Sequence, residues 1–343
     1  MNYIGVNGMP TPLAEAVIPV MDHGFMYGIG LFETFRTYGG RPFLLERHLR
    51  RLHEGCRALG IGYEADQARI VAEIAELLEL NGLAEGYIRY TVTAGEGPLG
   101  LPAGDYAEPT VIVYVKALPE PGASLYAYGK PLWKLATRRN TPEGDVRFKS
   151  LHYMNNLLAK RELGRLEREA RESGAVMRQA PVPRNSAERA DAQNAASSPH
   201  AHHPLTFAAP AEGLLLTAEG WLAEGIVSNL FFVQDGRLHT PDIGTGILPG
   251  ITRALVLELA AEQGLAPEEG RYAWDRLLQA DEIFLTNSIQ EIVPVTALLE
   301  PGDSGKRETL MHTVADGQVG PITGWLLGEY REKARNGDAT DPI

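Results

Sequence analysis

The chain has 343 residues, with 32 Lys and Arg against 44 Asp and Glu, for a formal net charge of −12. That balance argues against nucleic acid as a partner, which calls for a basic face, and no apolar run reaches the ~18 residues of a membrane span. The chain does not open with a signal-peptide pattern, and its single cysteine, Cys56, can form neither an intrachain disulfide nor a cysteine zinc site, so the expectation is a cytoplasmic protein of two domains.

Residues 1–118 read as a small α+β domain. Residues 3–6 form a strand closed by the Asn7-Gly8 turn. Residues 31–38 alternate apolar and polar and turn at Gly39-Gly40 into residues 42–45, a hairpin. Residues 45–59 place Leu45, His48, Leu49, Leu52, Cys56 and Leu59 at helical spacing and stop at Gly60. A second helix spans 66–80, and strands are predicted at 87–93 and 110–116. Residues 119–123 carry Pro119 and Pro121 and read as a linker. Residues 124–343 read as a larger domain. Its predicted helices are 151–171, 251–263 and 321–335; its predicted strands are 214–217, 221–223, 230–233, 282–286 and 293–296, with a turn at Asp235-Gly236. Residues 173–212 interrupt this domain. They are rich in Ala, Pro, Ser, Asn and His and almost free of aliphatic side chains, so they cannot bury enough apolar surface to offset ordering entropy. A disordered insertion is expected there. Its His200, His202 and His203 lack neighbouring Cys or carboxylate ligands, and no metal is expected.

Four segments bear chemistry. Lys149 sits between the 142–144 turn and a long helix, where a basic neighbour and partial burial would lower its pKa and make it a Schiff-base candidate. Glu224 ends a short apolar strand and needs a cationic partner if it points inward. Residues 246–253, GILPGITR, place a Gly-containing turn and Thr252 at a helix N-terminus, the geometry of an anion site. Arg51 lies on the mostly apolar face of its helix, where burial calls for an anion, while Arg50 points to another side and faces solvent.

In chain order, DHGFMYGIGLFETFR (22–36), FLLERHLRRL (43–52), YIR (87–89), RFKSLHYMNNLLAKRE (147–162), EGWLAEGIVSNLFFV (219–233), TGILPGITR (245–253) and FLTNSIQEIVPV (284–295) resemble the class IV, or fold-type IV, pyridoxal-phosphate enzymes. That group comprises branched-chain aminotransferases, D-amino acid aminotransferases and aminodeoxychorismate lyases. The resemblance implies a two-domain α+β fold of the D-amino acid aminotransferase type, with a small N-terminal α/β domain and a larger domain built on a mixed, barrel-like sheet. It implies pyridoxal 5'-phosphate as cofactor, a small-molecule substrate and a homodimer. By the same resemblance Lys149 forms the Schiff base and Glu224 faces the pyridine nitrogen. Arg51, Ile251, Thr252 and Ser288 hold the phosphate, and Tyr27, Phe32, Arg36 and Arg89 line the substrate side. Branched-chain enzymes carry a Tyr five residues after the Schiff-base lysine; here that position is Met154, with Tyr153 one residue earlier.

Residues 93–100 lack the Arg-x-His pair of the D-amino acid enzymes, and the YIR strand continues with Tyr90 rather than the Pro usual in branched-chain enzymes. RFKSLHYMNN and EGIVSNLF, with a short N-terminal segment, most resemble the aminodeoxychorismate lyases, which release 4-aminobenzoate and pyruvate on the folate route. An aminotransferase is the alternative on the same scaffold. A non-catalytic binder is expected to have lost Lys149 or Glu224, and both are present.

Overall fold

The structure is a computed structural model that describes residues 1–119, 122–172, 178–179, 209–302 and 309–336. The first unit contains β1 (Tyr3–Val6), β2 (Met9–Pro12), α1 (His23–Tyr27), β3 (Gly30–Tyr38), β4 (Arg41–Pro42), α2 (Leu45–Ala58), α3 (Gln67–Leu80), β5 (Gly86–Thr93) and β6 (Thr110–Ala117). Its six strands form an antiparallel sheet in the order β2-β1-β6-β5-β3-β4. Helices α2 and α3 cover one face through Leu45, Leu49, Leu52, Ile74 and Leu77, which pack on Phe35, Ile88 and Val113 of the strands. The α2 spacing read from the sequence is the spacing that buries these side chains. Arg50 lies outside the core, paired with Glu46 at 2.6 Å.

The second unit contains α4 (Ala123–Tyr128), β7 (Lys130–Arg138), α5 (Met154–Glu172), β8 (Arg178–Gln179), β9 (Glu212–Leu216), β10 (Leu222–Gly225), β11 (Asn229–Gln234), β12 (Arg237–Pro241), α6 (Ile251–Glu262), β13 (Glu268–Gly270), α7 (Trp274–Leu278), β14 (Glu282–Asn287), β15 (Glu291–Pro301), β16 (Thr309–Thr313) and α8 (Pro321–Asn336). Its sheet is mixed: β7 runs parallel to both β9 and β15, while β14 is antiparallel to β11 and β15. This is the two-domain α+β arrangement expected, with the change of sheet falling between Ala117 and Lys130. Phe43 and Leu44, just after β4, cross over and pack in the core of Phe231, Leu255, Phe284 and Tyr330. That core contains the Phe231–Phe284 stack, with ring centroids 5.0 Å apart and planes at 5°, an arrangement worth about 0.5–1.5 kcal/mol beyond area burial. The two units therefore share hydrophobic packing.

Three departures from the sequence reading have physical causes. The long helix begins at Met154 rather than residue 151, because the chain before it runs extended against β3. Phe32 N–H donates to the Lys149 carbonyl at 2.9 Å, and Leu151 N–H donates to Gly30 O at 3.0 Å. Strand β15 is eleven residues long where the sequence predicts four. Residues 291–299 are buried on both faces, so the strand lacks the apolar–polar alternation that marks a half-exposed strand, and Thr296 and Glu300 break up its apolar residues. The tract 173–212 is not featureless throughout. Glu212 opens β9, buried, and Arg178–Gln179 pair in parallel with β16. The rest of that tract before residue 209, including the three histidines, lies outside the described residues, as do linker residues 120 and 121. Among the described residues no helix is long and apolar enough to cross a membrane, and no cluster of His, Cys, Asp or Glu has the makings of a metal site.

Candidate active site

A cavity of about 420 Å³ lies where β3 and β5 of the first sheet meet β10, β14 and the N-terminus of α6. It falls within the roughly 300–1,000 Å³ of small-molecule sites. The extended segment before α5 brings Lys149 to its wall. The Lys149 amine sits 4.7 Å from the centroid of the Phe32 ring. Burial, and then the positive charge of Arg51, pull its pKa down from 10.5 to about 8, against the opposing pull of Glu33 and Glu224. A lysine of this kind is a nucleophile and a base near neutral pH.

Glu224 sits in the irregular stretch of β10 between Leu222 and Gly225, where the register against β9 shifts. It is 4 % exposed. Its Oε1 is 2.7 Å from Arg139 Nε and 4.0 Å from Arg147 Nε, and its Oε2 accepts from Leu248 N at 3.0 Å and Asn229 Nδ2 at 3.3 Å. Arg139 is itself held through Nη1 to Asn155 Oδ1 at 2.8 Å and Asn140 Oδ1 at 3.1 Å. Arg147, buried beside it, donates to Gly246 O at 2.5 Å. Burial and the nearby Arg139 lower the Arg147 pKa to about 10. The cationic partner that a buried Glu224 requires is thus Arg139, which sequence reasoning missed. The chain offers Arg138, Arg139 and Arg147 as candidates, and only the fold selects among them.

The third component is an anion cradle. Helix α6 starts at Ile251 after Gly250, which gives no side-chain cap, so the first N–H groups of the helix have no side-chain acceptor there. Thr252 Oγ1 lies 3.4 Å from Ser288 Oγ, and Ser288 Oγ lies 3.5 Å from His48 Nε2. His48 Nδ1 is 2.6 Å from Glu33. Burial lowers the His48 pKa against the opposing pull of Glu33, and Nδ1, facing the Glu33 carboxylate, is the donor of that pair. Glu33 also takes both oxygens to Arg51, at 2.8 and 2.6 Å. Burial would raise the Glu33 carboxyl, but Arg51 and His48 outweigh it and hold the pKa at about 2. Arg51 completes the link by donating to Pro249 O at 2.7 Å, which ties α2 to the turn before α6.

Of the residues singled out in the sequence, Lys149, Glu224, Arg51, Ile251, Thr252, Ser288, Phe32 and Arg89 line this cavity, and Tyr27 and Arg36 do not. Tyr27 is on α1, where its hydroxyl accepts from Gly100 N at 2.8 Å. Arg36 reaches behind the β14–β15 turn to Ile289 O at 3.3 Å and to Glu291 at 3.6 Å. Arg89 places its guanidinium 3.6 Å from the Phe32 centroid. Tyr153 lines the cavity, edge-on to Phe32 at 5.5 Å, while Met154 is exposed, because α5 begins only at Met154.

The donor set fits pyridoxal phosphate. A buried carboxylate that could face a ring nitrogen, a lysine amine of lowered pKa, and an uncapped helix start with two hydroxyls that could hold a phosphate all line one cavity. Ser228 and Thr286 also line the cavity.

The family described as amino-transferase class IV matches residues 30–170 and 193–298. The aminodeoxychorismate lyase of Bacillus subtilis is 38% identical over 299 residues, covering 87% of each chain. The crystal structure of 4-amino-4-deoxychorismate lyase from Pseudomonas aeruginosa superposes with a TM-score of 0.71 at 29% identity, over 97% of this chain and 99% of that one. The branched-chain amino acid aminotransferase of T.th., complexed with N-(5'-phosphopyridoxyl)-L-glutamate, gives 0.71 at 25% identity, over 98% and 94%. With the fold, the buried lysine and the anion cradle in place, the chain belongs to the class IV aminotransferase family.

Proposed function

We propose that the protein is an aminodeoxychorismate lyase that binds pyridoxal 5'-phosphate through Lys149, Glu224 and the α6 cradle. The observation that carries the choice of reaction is the likeness to the Bacillus subtilis lyase over most of both chains. The cofactor reading rests on the cavity itself: a lysine amine with a pKa near 8, a buried carboxylate and an uncapped helix start around one space.

When bound, pyridoxal phosphate supplies the electron sink for bond breaking at the carbon that bears the substrate amine. Glu224, paired with Arg139, holds a proton on the pyridine nitrogen. Lys149 Nζ takes the proton from the ring carbon that carries the amino group. One proton leaves that carbon and one is added as the enolpyruvyl group departs as pyruvate. A single amine that cycles between its protonation states near neutral pH can serve both transfers. The two products together contain all the atoms of the substrate, so no co-reactant is needed. Arg89 provides the positive charge for a substrate carboxylate. A branched-chain or other aminotransferase would hold the same cofactor with the same groups, Lys149 again moving the proton.

The discriminating experiment incubates the purified protein with 4-amino-4-deoxychorismate and, separately, with leucine or D-alanine plus 2-oxoglutarate. Equal amounts of 4-aminobenzoate and pyruvate are expected from the first. Glutamate from the second, with neither product from the first, would overturn the lyase reading in favour of the aminotransferase.

We further propose that the working form is a homodimer. Met154, Leu157 and Leu158 share one exposed face of α5. Val227, also exposed, lies on the cavity rim, so a second copy set against this face would cover apolar surface next to the site. Light scattering is expected to give twice the 37.4 kDa of the chain; a mass of one chain at micromolar concentration would contradict it.

A further inference from the structure

The turn between β14 and β15 supplies Ser288 to the anion cradle, and Thr286 to Gln290 all line the cavity. Three residues, Ser288 to Gln290, separate the paired Asn287 and Glu291. The turn is built tightly. Asn287 Oδ1 accepts from both Ile289 N, at 3.0 Å, and Gln290 N, at 2.8 Å.

Glu291 closes it in a conformation that L residues avoid. Its φ is +63°, and it is not a glycine. Such a residue persists only where its surroundings over-determine it. At Glu291 they do. The residue is 3 % exposed. Tyr38 OH donates to Oε1 at 2.6 Å, and Arg331 of α8 donates to Oε2 from Nε at 2.7 Å, with its Nη2 at 2.6 Å. The Arg36 guanidinium is 3.6 Å from Oε1 and holds Ile289 O. Arg331 in turn lies 4.2 Å from the centroid of the Tyr126 ring, and Tyr126 OH donates to Gln290 O at 3.4 Å. Lys130 Nζ donates to Gln290 Oε1 at 2.9 Å. The far side of the turn is therefore gripped by β3, α4, β7 and α8, while its near side faces the cavity.

We infer that Glu291, with Arg331 and Tyr38, is a positioning cluster that fixes the Ser288 turn for the cofactor phosphate. None of the three touches the cavity; they act through the turn. The C-terminal helix α8 thereby becomes part of the phosphate end of the site. The inference rests on the proposed pyridoxal-phosphate reading and adds a role for residues that reading does not use. It also accounts for Arg36, which lies in this cluster rather than at the substrate.

The test uses the full-length protein, freed of cofactor, and titrates it with pyridoxal 5'-phosphate and with pyridoxal, which has the same ring and aldehyde but no phosphate. Attachment is read from the visible absorbance, and the melting temperature of each cofactor-free variant is measured alongside. In Arg331→Met the dissociation constant for pyridoxal 5'-phosphate is expected to rise about tenfold, and that for pyridoxal less than about twofold. Arg331→Lys is expected to recover part of the difference. Tyr38→Phe removes the hydroxyl that bonds Glu291 and Tyr330 and keeps the ring on Phe43, 5.3 Å away; it is expected to show the same phosphate-dependent loss in smaller degree and carries the test, beside a Tyr330→Phe control, if Arg331→Met does not fold. Equal losses for both compounds, or no loss for either, would overturn the positioning role. A wild-type protein that attaches neither compound would instead overturn the cofactor reading.

Discussion

Replacing Lys149 by alanine is expected to abolish cofactor attachment and to lower turnover on the order of a thousandfold, the range lost when a positioned base is removed. The size follows from the environment rather than from the residue type. An ordinary lysine of pKa 10.5 has roughly one neutral amine in three thousand at pH 7. Burial and the neighbouring Arg51 bring Lys149 to about 8, which leaves about one in ten neutral. The sign of the pH dependence follows. Attachment requires the neutral amine, so its rate constant rises with pH and levels off above about pH 8. Stopped-flow absorbance with pyridoxal 5'-phosphate from about pH 6 to 10.5 reads this directly. A rate that keeps climbing to about pH 10 would mean an unperturbed lysine and would contradict the described geometry. Arg51→Met removes the positive charge that lowers the Lys149 pKa most, and the midpoint is expected to move up.

The second large effect is expected at Glu224. Its pair with Arg139 is buried on both sides, at 6 % and 8 % side-chain exposure. Truncation to alanine leaves Arg139 without its carboxylate, with Arg147 close by, and is expected to cost about 3–5 kcal/mol of stability. Chemical denaturation followed by circular dichroism measures this. Removing Arg139 in the same protein, as Glu224→Ala with Arg139→Met, is expected to recover part of the loss, because Arg139 is then no longer buried without its carboxylate and only Arg147 remains. Additive losses would show that the two side chains do not act as a pair. Glu224→Gln separates charge from shape. Its amide retains an acceptor for Leu248 N, so stability suffers less. It cannot keep a ring nitrogen protonated, and turnover is expected to fall on the order of a hundredfold, comparable to losing one preorganised electrostatic group.

The cavity-lining groups legible in the sequence belong to short continuous segments whose local geometry positions them. Lys149 lies in an extended run before a helix, Glu224 ends a short strand, and Thr252 sits in the first turn of a helix after Pro-Gly. Arg139 is not legible because its role is set by a strand pairing, β7 with β9, that no local pattern announces. Strand β7 itself is hidden in the sequence because it opens on Lys130-Pro131 and Lys134 interrupts its apolar residues. Both lysines have partners supplied from afar, Gln290 and Glu300. Arg36, which the resemblance puts on the substrate side, lies off the cavity lining here. It follows Phe32 and Thr34 at two-residue spacing on β3, which puts it on the face that lines the cavity, but its length carries the guanidinium past the cavity to Glu291. Side-chain reach, unlike strand alternation, is not written in the spacing.

The most direct measurement adds pyridoxal 5'-phosphate to the cofactor-free protein, reduces it with borohydride to fix the cofactor to the lysine that carries it, and maps the modified peptide by mass spectrometry. One phosphopyridoxyl group per chain is expected, on Lys149, with none taken up by Lys149→Ala. Modification at another lysine, or none in a folded protein, would contradict the assignment of this cavity as the cofactor site.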